Sequence, residues 1–188
     1  MNETLARFEA AVDTFDAVIH QVPADRWGAP TPCDGWDTRA LVNHVVGELL
    51  WVTPLLDGQT IADVGARLDG DLLGADPAAA WHHASAEGHA AFLVPGAIER
   101  TVHLSYGDEA AAAYCEQLTF DALVHAWDLA RAAGADPTLP PDLVAWAAGW
   151  VVPMAPLYAG AGMFAPPAEA PPGADDQTRL LALTGRRP

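Results

Sequence analysis

Residues 108–133 constrain the fold of this chain more than any other segment. They read as a long helix that is apolar around most of its circumference yet carries a stripe of ionisable side chains. Tyr114, Gln117, Leu118, Asp121, His125, Asp128 and Ala132 recur at intervals of three and four residues, so they share one face. Phe120, Leu123, Val124, Trp127 and Leu129 make much of the remainder apolar. Such a helix is buried, and its polar stripe faces a cavity rather than open solvent. A second segment, LVNHVVGE, shows the same spacing. His44 and Glu48 lie four residues apart, as do Asp121 and His125, which puts each pair on one face one turn apart. Histidines and carboxylates inside apolar helices are unfavourable unless paired, hydrogen-bonded or bound to metal.

The rest of the chain is also helical in pattern, with abundant Ala and few strand-favouring residues. A first helix is expected over residues 4–21, with Leu5, Phe8, Val12, Phe15, Val18 and Ile19 as its apolar stripe. The connector VPADRWGAPTPCDGW is too rich in Pro and Gly for regular structure. Asp37 or Thr38 caps a second helix that carries RALVNHVVGELLWVTPLL. Residues 57–74 read as loop with a short helical turn. Asp76-Pro77 opens a third helix ending near Pro95, and residues 98–106 alternate weakly, as an extended segment or hairpin arm does. The fourth helix, 108–133, stops at Gly134. A fifth begins at Pro140-Pro141-Asp142 and carries LVAWAAGWVVPMAPLY. Residues 160–174 are a Pro/Gly-rich loop, and the end folds into one short helix stopped by Gly185. Four long helices in 188 residues predict a single all-α domain, 1–188, built as a bundle.

Composition removes several function classes. A net charge of −16 argues against nucleic acid or an anionic membrane as partner. No apolar run reaches the roughly 20 residues of a membrane span. The acidic start MNETLARFEA does not read as a signal peptide, so a cytoplasmic protein is expected. The chain has no lysine, which excludes Schiff-base chemistry, lysine-bound pyridoxal phosphate and a P-loop. Neither Ser85 nor Ser105 sits in a nucleophile elbow. Cys33 and Cys115 are expected to be reduced and structural. Metal chemistry gains by elimination.

Imidazole and carboxylate ligands suit Zn, Ni, Fe or Mn, and three protein ligands with an open position make a catalytic site. The competing reading makes His44 and His125 core histidines, satisfied by Glu48 and Asp128 through ordinary hydrogen bonds. Spacing alone leaves both readings open.

The segments TPCDGWDTRALVNHVVGE, FDALVHAWDLARAAG and RLLALTGRRP occur in order and resemble the mycothiol-dependent maleylpyruvate isomerase N-terminal family. That family lies within the DinB-like superfamily of metal-binding four-helix bundles, and the resemblance covers nearly the whole chain. It implies a DinB-like four-helix bundle with a short extended arm and a short C-terminal helix. It also implies a divalent metal on His44, Asp121 and His125, Zn foremost, with Ni, Fe or Mn as alternatives. Asp121 is a shorter arm than the Glu of the family's isomerase. Mycothiol becomes the expected cosubstrate, its thiolate attacking a small electrophile in transfer or cis–trans isomerisation, with Glu48 or a metal-bound hydroxide handling the proton. The isomerase itself carries an additional C-terminal domain beyond the length of this chain, so the maleylpyruvate activity is not implied.

Other residues carry narrower expectations. Glu48 is a general base, a fourth ligand or a partner orienting His44. Trp36 and Trp127 are candidate walls of a substrate pocket. Arg39 and Arg131 are candidate anchors for a substrate carboxylate or members of surface salt bridges. Asp128 either orients His125 or belongs to the polar stripe facing substrate. Arg186 and Arg187 are candidates to cap the pocket. Two functions compete with thiol chemistry: a hydrolase or lyase using metal-bound water, and a non-catalytic metal- or ligand-binding bundle. The expected assembly is a monomer or homodimer acting on a small electrophile and a thiol.

Overall fold

The structure is a computed structural model that describes residues 2–160 and 164–187. Its elements, in chain order, are α1 (Glu3–Ile19), α2 (Thr38–Leu50), α3 (Val52–Leu56), α4 (Ile61–Val64) and α5 (Pro77–Phe92). There follow β1 (Thr101–Leu104), β2 (Gly107–Ala110), α6 (Ala111–Ala133), α7 (Pro141–Val151), α8 (Ala155–Gly160) and α9 (Asp176–Leu183). Of the expected 160–174 loop, residues 161–163 lie outside the described residues. No helix among the described residues is long and apolar enough to cross a membrane.

Four helices make the bundle. Each of α1 and α2 packs against both α5 and α6. Phe8, Ala11, Phe15 and Val18 recur at three and four residues along α1 and are buried, as are Leu41, Val45 and Leu49 of α2. Aromatic pairs tie α1 to α5: Phe15 and Trp81 have ring centroids 4.4 Å apart, and Phe8 meets Phe92 edge-on at 5.3 Å. Burying each such side chain stabilises the fold by roughly 1.5–3 kcal/mol. Gly88 lets α5 approach α2 closely, since a Cβ there would stand 3.2 Å from the Leu49 carbonyl oxygen.

Capping residues set most boundaries as the sequence implies. Asp37 accepts from the Ala40 N–H at 2.8 Å, and Asp76 accepts from Ala79 ahead of Pro77. The structure corrects the expected elements at three places, the second, fifth and fourth helices. The second helix is interrupted after Leu50, where Pro54 has no N–H to donate to the Leu50 carbonyl. The fifth is split at Pro153 into α7 and α8 for the same reason. Residues 57–74, expected as loop with a short helical turn, hold α4 and a 3₁₀ turn, Gly65–Leu68. The fourth helix begins at Ala111, not Asp108. Residues Gly107–Ala110 pair antiparallel with β1, Leu104 opposite Gly107, and the chain reverses at Ser105 and Tyr106. Gly107 adopts φ +134°, a value that disfavours a side chain and a helical start alike.

Residues 118–130 of α6 are buried on nearly every side, because a second layer covers the face turned away from the bundle. Trp150 of α7 stacks on Phe120 at 4.8 Å. Helix α9 packs on α7 and is pinned by Gln177, whose side chain accepts from the Leu139 N–H and donates to the Pro137 carbonyl. This layer returns the C-terminus to α6.

Candidate metal centre

Helix α2 presents His44 and Glu48 towards α6, which presents Asp121 and His125. Asp121 lies between the two imidazoles. Its Oδ2 is 3.3 Å from His44 Nε2, and its Oδ1 is 3.4 Å from His125 Nε2. The imidazoles meet edge-on, ring centroids 5.2 Å apart. One ligand atom from each of the three residues falls within a 4.8 Å cluster. Asp121 Oδ2 is buried and accepts no hydrogen bond among the described residues.

The charges in this cluster reinforce one another. Burial opposes ionisation of Asp121, yet His125 and then His44 hold its carboxyl well below the usual range. Burial likewise opposes charge on both histidines, and the Asp121 carboxylate overrides it, raising His44 and raising His125 well above the ordinary imidazole value. Glu48 Oε1 stands 4.0 Å from His44 Nδ1, and burial followed by repulsion from Asp121 pushes its carboxyl up. His44, Asp121 and Glu48 remain partly exposed, so the cluster is open on one side, while the His125 side chain is 9% exposed and closes the other.

Behind His125 is a closed polar node. His125 Nδ1 is 2.9 Å from Asp128 Oδ2. The same oxygen accepts from Arg186 Nη2 at 2.7 Å and from the Cys33 thiol at 3.2 Å, and Arg186 Nε reaches Oδ1 at 3.3 Å. Asp128 has no exposed surface. Against the penalty of burial, His125 and Arg186 keep its carboxyl down at about 2. Asp128 is therefore not a substrate contact, because its oxygens are already committed to internal donors.

The connector ahead of α2 supplies Cys33 and Trp36. Thr31 organises the turn: its hydroxyl accepts from the Cys33 N–H at 3.1 Å and donates to the Trp36 carbonyl at 3.0 Å. Gly35 completes the reversal at φ +80°. Trp36 then lies beside both imidazoles, with ring centroids 4.9 Å from His44 and 5.8 Å from His125.

The remaining sequence candidates lie elsewhere. Arg39 stands five residues, about 140° of helix, from His44, and its guanidinium binds Asp71 and the Gly74 carbonyl. Trp127 is about 120° around α6 from Asp121 and is buried, with the Arg131 guanidinium 5.3 Å over its ring. Arg39 is committed to Asp71 and Gly74, and Arg131 is exposed beside Trp127, on a different face of α6 from Asp121. Arg186 binds within the fold rather than capping a pocket, and Cys33, expected as an inert core thiol, touches the same node. Both lie in segments the resemblance drew on, yet nothing in their spacing links them to Asp128.

The donor set fits a divalent cation at His44, Asp121 and His125. Two imidazole nitrogens and a carboxylate oxygen suit Zn and its first-row neighbours, and a cation supplies the partner that Asp121 Oδ2 lacks. Cys33, His125 and Asp128 are also mutually close. The Arg186 guanidinium, 2.7 Å from Asp128 and 3.5 Å from Cys33 Sγ, already provides the positive charge there. A third grouping, Asp16, His20 and His82, is largely exposed, and Trp81 Nε1 donates to its carboxylate at 2.8 Å.

The family model of the mycothiol maleylpyruvate isomerase N-terminal domain matches residues 8–130, a span that holds all three cluster residues. The uncharacterised protein Rv0738 of Mycobacterium tuberculosis strain H37Rv is 37% identical over 144 residues, 75% of this chain and 73% of that protein. Rv0036c of the same strain, also uncharacterised, is 43% identical over 47 residues, 25% of this chain and 17% of its own length. No solved structure matches the chain.

Proposed function

The chain belongs to the mycothiol maleylpyruvate isomerase N-terminal domain family, and on that premise we propose a divalent-metal-dependent enzyme that uses a low-molecular-weight thiol of the mycothiol type on a small electrophile. The observation that carries this reading is the convergence of His44, Asp121 and His125 around Asp121 Oδ2, a buried oxygen with no hydrogen-bond partner among the described residues. Those three residues would hold the cation, with zinc first and Ni, Fe or Mn behind it. A divalent cation bound there lowers the pKa of a thiol ligand, so that the thiolate exists at neutral pH.

The chain's own groups do the remaining work. Asp128 takes the Nδ1–H of His125, which turns Nε2 to the cluster as the nitrogen that gives up its proton when a cation binds. Trp36 covers one side of both imidazoles. Glu48, partly exposed beside His44 and raised by burial and by Asp121, is placed to accept the thiol proton and return it. In transfer, the sulfur–carbon bond forms as the leaving group departs with its electron pair. In isomerisation, thiolate adds to a conjugated double bond, the carbon–carbon bond rotates, and elimination regenerates the thiolate. The same raised carboxyl favours a second reading, hydrolysis or elimination with water in place of the thiol, which would proceed in buffer free of thiol.

The test is elemental analysis of protein purified without chelator or affinity tag, beside His44→Ala. About one metal per chain, lost in the variant, supports the reading and directs a screen of electrophiles with and without added thiol. No metal after reconstitution with Zn, Ni and Mn overturns it and favours paired core histidines.

A further inference from the structure

We infer that Arg186 is a positioning residue of the metal centre: it locks Asp128, and through Asp128 it holds His125 with Nε2 free to bind the cation. The inference rests on the metal-binding reading above.

Three observations carry it. First, the guanidinium is buried, with Arg186 only 9% exposed near the chain's end. A buried charge is strongly unfavourable unless paired and hydrogen-bonded, so this is a built contact rather than a draped tail. Second, the pairing is two-pronged: Nε and Nη2 address separate oxygens of Asp128, at 3.3 Å and 2.7 Å, while Nη1 donates to the Thr184 carbonyl at 3.1 Å. A planar fork fixes the carboxylate plane, which a lysine ammonium cannot do. The fixed plane aims Oδ2 at His125 Nδ1.

Third, the backbone is arranged to deliver this side chain. Helix α9 ends in a Schellman turn: the Gly185 N–H bonds the Ala182 carbonyl, the Arg186 N–H bonds the Leu181 carbonyl, and Gly185 adopts φ +79°. The reversal sends Arg186 inward, onto a residue 58 positions earlier in the chain. Arg186 lies outside the span that the family model matches, residues 8–130. The C-terminal segment thus becomes part of the metal centre without contributing a ligand. Without Arg186, Asp128 loses the two-pronged partner that fixes its plane, and its carboxylate is free to rotate away from His125.

The test compares Zn²⁺ affinity, by competition with a chromophoric chelator, and the d–d spectrum of the Co²⁺-loaded protein across Arg186→Ala, Arg186→Lys and Arg187→Ala. Arg186→Ala should bind Zn²⁺ about 10- to 100-fold more weakly, the range for partners that orient metal ligands. Its Co²⁺ spectrum should change while its far-UV circular dichroism does not. Arg186→Lys should recover part of the affinity, millimolar guanidinium should recover part in Arg186→Ala, and Arg187→Ala should match the wild type. Wild-type affinity in Arg186→Ala overturns the inference. So does a loss that tracks loss of helicity and is rescued by neither guanidinium nor lysine. A wild-type protein that binds no metal overturns the metal reading itself, a result distinguishable from both.

Discussion

Asp121 Oδ2 lies 3.3 Å from His44 Nε2 and accepts no hydrogen bond among the described residues, although the atom is shielded from solvent. A buried acceptor left unsatisfied is destabilising by about 1–3 kcal/mol, more if charged. Burial alone would protonate Asp121, but His125 and His44 keep it ionised. The result is a carboxylate held in its metal-binding protonation state by the residues that would share the metal with it.

Removing that charge should therefore remove the metal. Asp121→Asn keeps the shape and loses the anion. It should weaken Zn²⁺ binding by more than the roughly 100-fold upper end for residues that only orient a ligand, as should His125→Ala. Asp121→Glu keeps the charge on a longer arm and should retain stoichiometric metal. Chelator competition measures all three, and circular dichroism should show helicity unchanged. Full Zn²⁺ affinity in Asp121→Asn would place the site elsewhere.

The same charges give a pH signature. His44 and His125 are raised in the folded metal-free protein. Their stabilisation is fully present below the unfolded imidazole pKa of about 6.5 and is lost as pH climbs through the raised folded values. Asp121 is lowered, so its contribution is present above about pH 3.9 and lost as pH falls towards its folded value. Metal-free protein should lose melting temperature from pH 6 upward. Metal must displace the imidazole protons, so Zn²⁺ affinity should rise over the same interval. Thermal melts with and without Zn²⁺ at pH 5.5, 6.5, 7.5 and 8.5 check both. Parallel curves would show that the imidazoles are neutral before metal arrives.

Much of this arrangement is legible in the sequence because it is periodic. The bundle follows from the three-and-four spacing of residues such as Phe8, Phe15, Leu41 and Leu49. Asp121 and His125 are conspicuous because a polar stripe interrupts an otherwise apolar helix. The errors arise where a single residue overrides a pattern. Pro54 and Pro153 interrupt helices whose apolar periodicity continues past them, and Gly107 turns an expected helix start into a strand. Trp127 sits on the right helix but on the wrong face, which spacing from Asp121 gives once the helix is known to be regular. The Asp128–Arg186 pair is illegible for a different reason. Its partners are 58 residues apart, and no local pattern records which buried acid a distant arginine will meet.

The two cysteines should differ in reactivity. Burial pushes the Cys115 thiol up to about 12, and the residue has no exposed surface. Thiolate is the reactive form, so Cys115 should not react with an aromatic disulfide reagent at pH 8 until the protein unfolds. Cys33 is half-buried and donates to Asp128. Native protein should titrate no more than one thiol, and Cys33→Ala none. Two fast thiols in native protein would mean that α6 opens far more readily than its burial implies.

Gly185 is where sequence, backbone and metal centre meet. At φ +79° an added Cβ is strained, and here it would also stand 2.6 Å from Ala165 Cβ and 2.7 Å from the Ala165 carbonyl oxygen. Backbone strain of this kind is worth about 1–3 kcal/mol, and the overlap adds to it unless residues 164–168 move. In a chain of this size each kcal/mol lowers the melting temperature by roughly 2–4 °C. Gly185→Ala should therefore melt several degrees below wild type. Relief of the strain opens the Schellman turn and draws Arg186 off Asp128, so Zn²⁺ affinity should fall in the same variant. Gly173→Ala is the control: its φ is also +79°, but no atom lies within 4 Å of the added Cβ. It should lose stability through backbone strain and keep its affinity for Zn²⁺. Equal affinity in both variants would separate the C-terminal turn from the metal centre.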